Sequence, residues 1–216
     1  MIYTLREYSS LSAGSEETFN FNAKVLNGLG VHNSANSDTL QISVRVGNQQ
    51  LISDVSLAGL NSVLAPKLKN RDANQFTIPF GNVNTVNNTI TVTVKNSHSS
   101  TAKTTGLYLI YDNGKASKQT PVKYKSYTSA TFSATGVISC SAHMAGTGAL
   151  ASSTSKVTWN HGSVSETSDL QSYHQIFTST ANNIDTKGAT IMNGAPNTLN
   201  LSGVYASGDE YVVAYI

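Results

Sequence analysis

Cysteine is almost missing from this chain of 216 residues, and the single one, Cys140, leaves no internal disulfide to be made. Between Ile138 and Ala142 it reads as a small buried hydrophobe. Charge is scarce too. Asp, Glu, Lys and Arg supply 12% of the residues, against about a quarter in an average globular protein, and Ser, Thr, Asn and Gly stand in their place. A surface of that kind is solvated by hydroxyls and amides. The net charge of +2 and pI near 8.6 are too mild for the dense basic stripe of a nucleic-acid binder, so no specific nucleic-acid recognition is expected. No stretch approaches the roughly 18 apolar residues of a membrane-spanning helix. The start, Met1 to Glu7, lacks the basic end and apolar segment of a signal peptide, and the expectation is a protein made and folded in a cytoplasm.

Catalytic signatures are missing as well. The chain holds no G-x-S-x-G elbow, no G-x-x-x-x-G-K-[ST] phosphate loop and no H-E-x-x-H zinc motif. Its histidines, His32, His98, His143, His161 and His174, fall in separate segments; His98 and His161 read as loop residues and His174 as the exposed side of a helix. The adjacent acids Glu16-Glu17 and Asp209-Glu210 sit at strand starts, where they discourage edge pairing. A calcium ion there would need help from backbone carbonyls, without the alternating acidic series of a dedicated site. The reading is therefore of no enzyme, with no catalytic, cofactor-binding or metal residue assigned and no cofactor. The basic residues form two loose groups, Lys67, Lys69 and Arg71, then Lys115, Lys118, Lys123 and Lys125. They read as solvated loops and a linker that could meet acidic lipid headgroups or a packaged genome if several subunits brought them to one face.

What the chain does contain is β-pattern. Phe19, Phe21, Ala23 and Val25 alternate with polar residues, and so do Leu40, Ile42, Val44 and Val46, which Gly47-Asn48 turns back into Gln49–Ser53 as a hairpin. Strands are also expected at residues 2–8, Phe76–Phe80, near Val83–Val86 and at Thr89–Val94, with a loop over residues 27–38. Asp54 is positioned to cap a short helix whose stripe is Leu57, Leu60 and Leu64, stopped by Pro66. Two continuous apolar runs, Gly106–Tyr111 and Tyr211–Ile216, read as central strands covered on both faces.

The second of these runs closes a second pass through the same order. Ile138, Cys140 and Ala142 alternate, as do Val157 and Trp159; Ser168 is positioned to cap a helix bearing Leu170, Tyr173 and Phe177; Thr198–Leu201 is a strand. Pairing Phe19 with Ile138, Val44 with Val157, Leu57 with Leu170, Ile90 with Leu199 and Tyr111 with Tyr215 gives an offset that only falls along the chain. That is the behaviour of one topology written twice with shorter loops the second time. The connector is Asp112–Pro121, with turn residues, lysines, a proline and nothing to bury. The expected domains are 1–114 and 122–216, with a linker over 115–121.

With eight strands per half, a helix in one connection of each and two fused copies, the chain resembles the double jelly-roll major capsid proteins of tailless icosahedral viruses, the lineage of membrane-containing bacteriophages and adenoviruses. The resemblance implies an all-β fold of two eight-stranded jelly-roll β-sandwiches. It also implies a structural protein, synthesised in the host cytoplasm and located in the virion, whose homotrimers with pseudo-sixfold outline tile an icosahedral shell. Its partners would be itself, then other capsid components such as a penton or vertex protein, and an internal membrane reached through the basic loops. The rival from another class is a carbohydrate- or receptor-binding β-sandwich, an adhesin, spike or fibre domain, with Trp159 and Tyr173 as candidate contacts.

Overall fold

The computed structural model of the protein describes residues 2–32, 39–64, 76–115, 120–127, 132–143, 156–161, 164–169, 186–190, 197–202 and 210–216. The chain forms two compact units, Met1–Asn61 with Asn70–Tyr124, and Ser62–Lys69 with Lys125–Ile216.

The first unit runs β1 (Ile2–Leu11), β2 (Glu16–Phe21), β3 (Val25–His32), β4 (Leu40–Val46), β5 (Gln49–Ser56), α1 (Leu57–Leu64), β6 (Phe76–Asn84), β7 (Ile90–Asn96) and β8 (Lys103–Asp112). One sheet has the order β1-β8-β3-β6 and the strands of the other run β5-β4-β7-β2, all the resolved pairings being antiparallel. Eight further strands follow: β9 (Lys123–Tyr127), which the boundary between the units divides after Tyr124, then β10 (Phe132–Thr135), β11 (Val137–His143), β12 (Lys156–His161), β13 (Val164–Asp169), β14 (Thr186–Thr190), β15 (Asn197–Ser202) and β16 (Glu210–Tyr215) of the second unit. Its orders are β9-β16-β11-β14 and β10-β15-β12-β13.

Numbering the strands of each unit from one to eight gives the same answer twice: first-eighth-third-sixth and second-seventh-fourth-fifth. That is the jelly roll, in which two Greek keys wind four strands into each of two sheets. The chain is a double jelly roll.

The register repeats with the order. Val92 of β7 lies between Phe19 and Val44, and Leu201 of β15 lies between Phe132 and Val157. Leu29 of β3 lies between Ile78 and Leu109, and Cys140 of β11 lies between Ala189 and Val213. Cys140 therefore takes the position that in the first unit belongs to the fully buried Leu29. The register also corrects the expected repeat at one point. The counterpart of Phe19 is Phe132, not Ile138, because β2 corresponds to β10 and β11 corresponds to β3.

That error has a visible source. Residues 27–38 read as a loop, yet Val25–His32 is a strand bonded on both sides, its glycines Gly28 and Gly30 placed where a neighbour needs room. A Cβ at Gly30 would fall 2.0 Å from Cζ of Tyr108. The segment near Val83, expected as a separate strand, is instead the end of β6. Gly47, at φ 56°, makes the two-residue hairpin between Val46 and Gln49 as expected.

The helix lies where its leucine stripe placed it, with Leu57 and Leu60 fully buried, but its cap is Ser56. The Ser56 hydroxyl accepts the Gly59 N–H at 2.8 Å, whereas Asp54, at φ 47°, belongs to β5 and accepts the Ser43 hydroxyl at 2.6 Å. In the second half Ser168 sits in β13, opposite Val157. The expected helix with Leu170, Tyr173 and Phe177 lies outside the described residues.

The core of the first unit is aliphatic, with Leu26, Val31, Ile42, Val44, Ile52 and Val92 among its fully buried members. Each such side chain contributes about 1.5–3 kcal/mol relative to exposure. Phe80 and Tyr124 meet edge on at 6.3 Å between centroids, and the Tyr124 hydroxyl donates to the Pro79 carbonyl at 2.8 Å. Burial pushes the Tyr124 phenol far above its ordinary pKa. Together with the Val122 N–H on the Phe80 carbonyl at 3.0 Å, this ties the last residues of the first unit, up to Tyr124, to its own β6.

Candidate assembly surfaces

Two sheets of a jelly roll have two outer faces, and in the first unit they differ in chemistry. The outer face of β5-β4-β7-β2 carries the polar half of each alternation. On it the Thr18 and Thr93 hydroxyls bond at 3.0 Å, the Thr91 hydroxyl donates to Asn20 Oδ1 at 3.1 Å, and Ser43 bonds Asp54. Glu16 stands opposite Lys95 in the strand register. These are exposed, mutually hydrogen-bonded groups that water satisfies equally well, and cross-strand pairs of this type contribute about 0.2–1 kcal/mol each.

The outer face of β1-β8-β3-β6 is built otherwise. Tyr108 and Ile110 of β8 are half-buried there, and the Tyr108 ring lies over Gly30 of the neighbouring strand. Gly28 and Gly106 complete a stretch without side chains. An aromatic ring laid on a cross-strand glycine protects backbone that the glycine leaves bare.

The ends of the first unit are tied by side-chain amides. At one end Asn96, fully buried, donates through Nδ2 to the carbonyls of Leu11, Ser12 and Thr101, while its Oδ1 accepts the His98 N–H. His98 is a loop residue as expected, and its Nδ1 accepts the N–H groups of Ser100 and Thr101 at 3.1 and 3.0 Å. That nitrogen is spent on holding a turn. At the other end the Thr85 hydroxyl and N–H bond the carbonyls of Ala23 and Lys24, and the Gly47 N–H bonds the Thr89 carbonyl. Asp112 closes β8 by accepting the Gly114 N–H at 2.5 Å, which holds its carboxyl below the usual value.

Among the described residues no group of three His, Cys, Asp or Glu is placed to hold a metal. Glu17 accepts the Ser9 hydroxyl, His32 ends β3, and Glu210 stands opposite His143 at the start of β16. Among the basic residues, Lys115 is exposed, Lys123 is half-buried, and Lys125 extends Nζ over the Tyr127 ring at 5.1 Å. Lys67, Lys69, Arg71 and Lys118 lie outside the described residues, as do Asp209, His174 and Tyr173. Trp159 is a β12 residue opposite Glu166 and Leu199, not a loop residue. Sequence reasoning missed Asn96 and the Gly30–Tyr108 pair. The Asn96 position ends an alternating strand and looks like any polar terminus.

No protein-family model matches this chain, and no curated protein matches it in sequence. Among solved structures it is similar to the major capsid protein P2 of bacteriophage PM2, at 10% identity and a TM-score of 0.47 over 98% of each chain. It is also similar to a chain of Sulfolobus turreted icosahedral virus, at 10% identity and a TM-score of 0.26 over 100% of this chain and 93% of that one.

Proposed function

We propose that this protein is a structural capsid subunit, not an enzyme, and that three copies form a trimer with six-sided outline which tiles an icosahedral shell. The observation that carries the reading is the duplication: one strand order and one register in both units. Two alike but unequal domains in three copies present six near-equivalent edges, which suits hexagonal tiling, and closed point symmetry within the trimer prevents open-ended growth. Low charge supports the same role, because amide- and hydroxyl-rich faces make wet, individually weak contacts that accumulate over many neighbours. The basic connector, with Lys115 exposed, offers such a shell a contact to anionic lipid at about 1 kcal/mol per lysine near the surface.

Native mass measurement with negative-stain microscopy of the purified protein tests the reading. Trimers or closed shells are the expected result, and a monodisperse monomer at high concentration overturns it. Flotation with anionic and neutral vesicles at two salt concentrations tests the lipid contact, which must weaken with salt and vanish on neutral lipid.

A further inference from the structure

Asparagine precedes glycine at Asn27-Gly28, Asn113-Gly114 and Asn193-Gly194, and the last pair lies outside the described residues. This dipeptide is chemically labile because glycine lacks the Cβ that would keep its own backbone nitrogen from the preceding side-chain amide. The fold treats the two described pairs in opposite ways. Asn27 is in β3, half-buried, with its amide donating to Asn82 Oδ1 at 2.5 Å. Gly28 is buried between Ile110 and Pro79 in the ladder, where even a Cβ would meet the Ile78 carbonyl at 2.8 Å. Closing a ring there requires the sheet to open. Asn113 and Gly114 are both exposed, in the bend that follows β8, where backbone rotation is not tied to a strand ladder.

We infer that Asn113 is a site of spontaneous deamidation in the folded protein, that Asn27 is protected by its sheet, and that the Asp112 carboxylate slows the reaction at Asn113. The Gly114 nitrogen gives its proton to hydroxide and attacks Cγ of Asn113; the new C–N bond forms as the side-chain nitrogen leaves, taking a proton, as ammonia. Water then opens the resulting five-membered imide at either carbonyl, giving aspartate or isoaspartate, so the net change is amide plus water to acid plus ammonia. The Gly114 N–H is held on Asp112 Oδ1. A negative charge at that distance opposes loss of the proton and keeps the nitrogen turned from Cγ. Conversion adds one negative charge beside Lys115, and the isoaspartyl product adds a methylene to the backbone between β8 and the connector.

The test is peptide mass mapping of the full chain during incubation at mildly alkaline pH, in isotopically heavy water, folded and in urea. In the folded chain Asn113 should convert at least an order of magnitude faster than Asn27, because the latter waits on local opening of a central strand. In urea the two rates should approach each other. Equal rates at both positions in the folded chain, or conversion at Asn27 first, overturn the assignment. Asp112→Ala, checked for an unchanged thermal transition, should convert several-fold faster at Asn113; an equal or slower rate removes Asp112 from the account.

Discussion

The closing strands of the two units occupy the same place in the same topology and solve it differently. In the first unit Gly30 faces Tyr108, and in the second Ser141 faces Val212 at the corresponding position. Leu109 and Val213 are both buried toward their cores, but the residues beside them diverge: Ile110 and Tyr108 are half-buried, whereas Val212 and Ala214 are buried with Val213. So β16 is covered on both faces, as a continuous apolar run suggests, and β8 only on one. The same kind of run thus served two environments, and the difference was absorbed by the partner strand, which gave up a side chain at Gly30 to seat a ring.

The largest expected effects test that asymmetry of faces. Leu109→Ala should cost about 2–5 kcal/mol in chemical denaturation, as large-to-small changes in closed cores do, and Ile110→Ala clearly less. Val212→Ala and Val213→Ala should cost similar amounts, and a large inequality between them would break the comparison. Next comes Asn96→Ala, which leaves the carbonyls of Leu11, Ser12 and Thr101 without their donor at about 1–3 kcal/mol for an unsatisfied buried group; thermal melts measure it.

Gly30→Ser, which copies the second unit's residue into the first, should cost about 1–3 kcal/mol by overpacking against the Tyr108 ring. Adding Tyr108→Val completes the copy and should recover most of that loss, a coupling read by a double-mutant cycle. Removal of the helix cap by Ser56→Ala should cost about 1 kcal/mol.

The smallest effect is electrostatic and belongs to the ends of the same strands, where Asp112 closes β8 and the corresponding residue after β16 is Ile216. The folded protein holds Asp112 below its ordinary pKa, chiefly through the Gly114 N–H. Its stabilisation is therefore present above the unfolded value of about 3.9 and is lost as pH falls through the lower folded value. Asp112→Asn should flatten the acid limb of a stability-versus-pH curve, slightly because the group is exposed.

Much of the architecture was legible in the chain. Alternation at Leu40–Val46 and at Val157 and Trp159, the Gly47-Asn48 hairpin and the two closing runs placed their strands correctly, because a pleated strand with one wet face must alternate. The third strand was not legible. Val25–His32 is apolar but broken by Gly28 and Gly30, and glycine is a turn signal until the ring it accommodates is known. The first cap failed for a related reason: Asp54 is a good capping residue by type, and only the β4–β5 hairpin shows it to be a strand residue. The outer faces of the sheets were legible as composition alone, since a polar alternation does not say which hydroxyl meets which.

By itself the sequence determined that the chain is all-β, poor in charge and written twice, since periodicity and composition are local properties that each segment carries with it. The tertiary structure alone decided which strands are neighbours within each jelly roll, that Phe132 answers Phe19, and that Tyr108 lies on Gly30. Those facts depend on which strands become neighbours, and neighbours across a sheet are chosen by long-range burial and register that no short stretch of sequence contains.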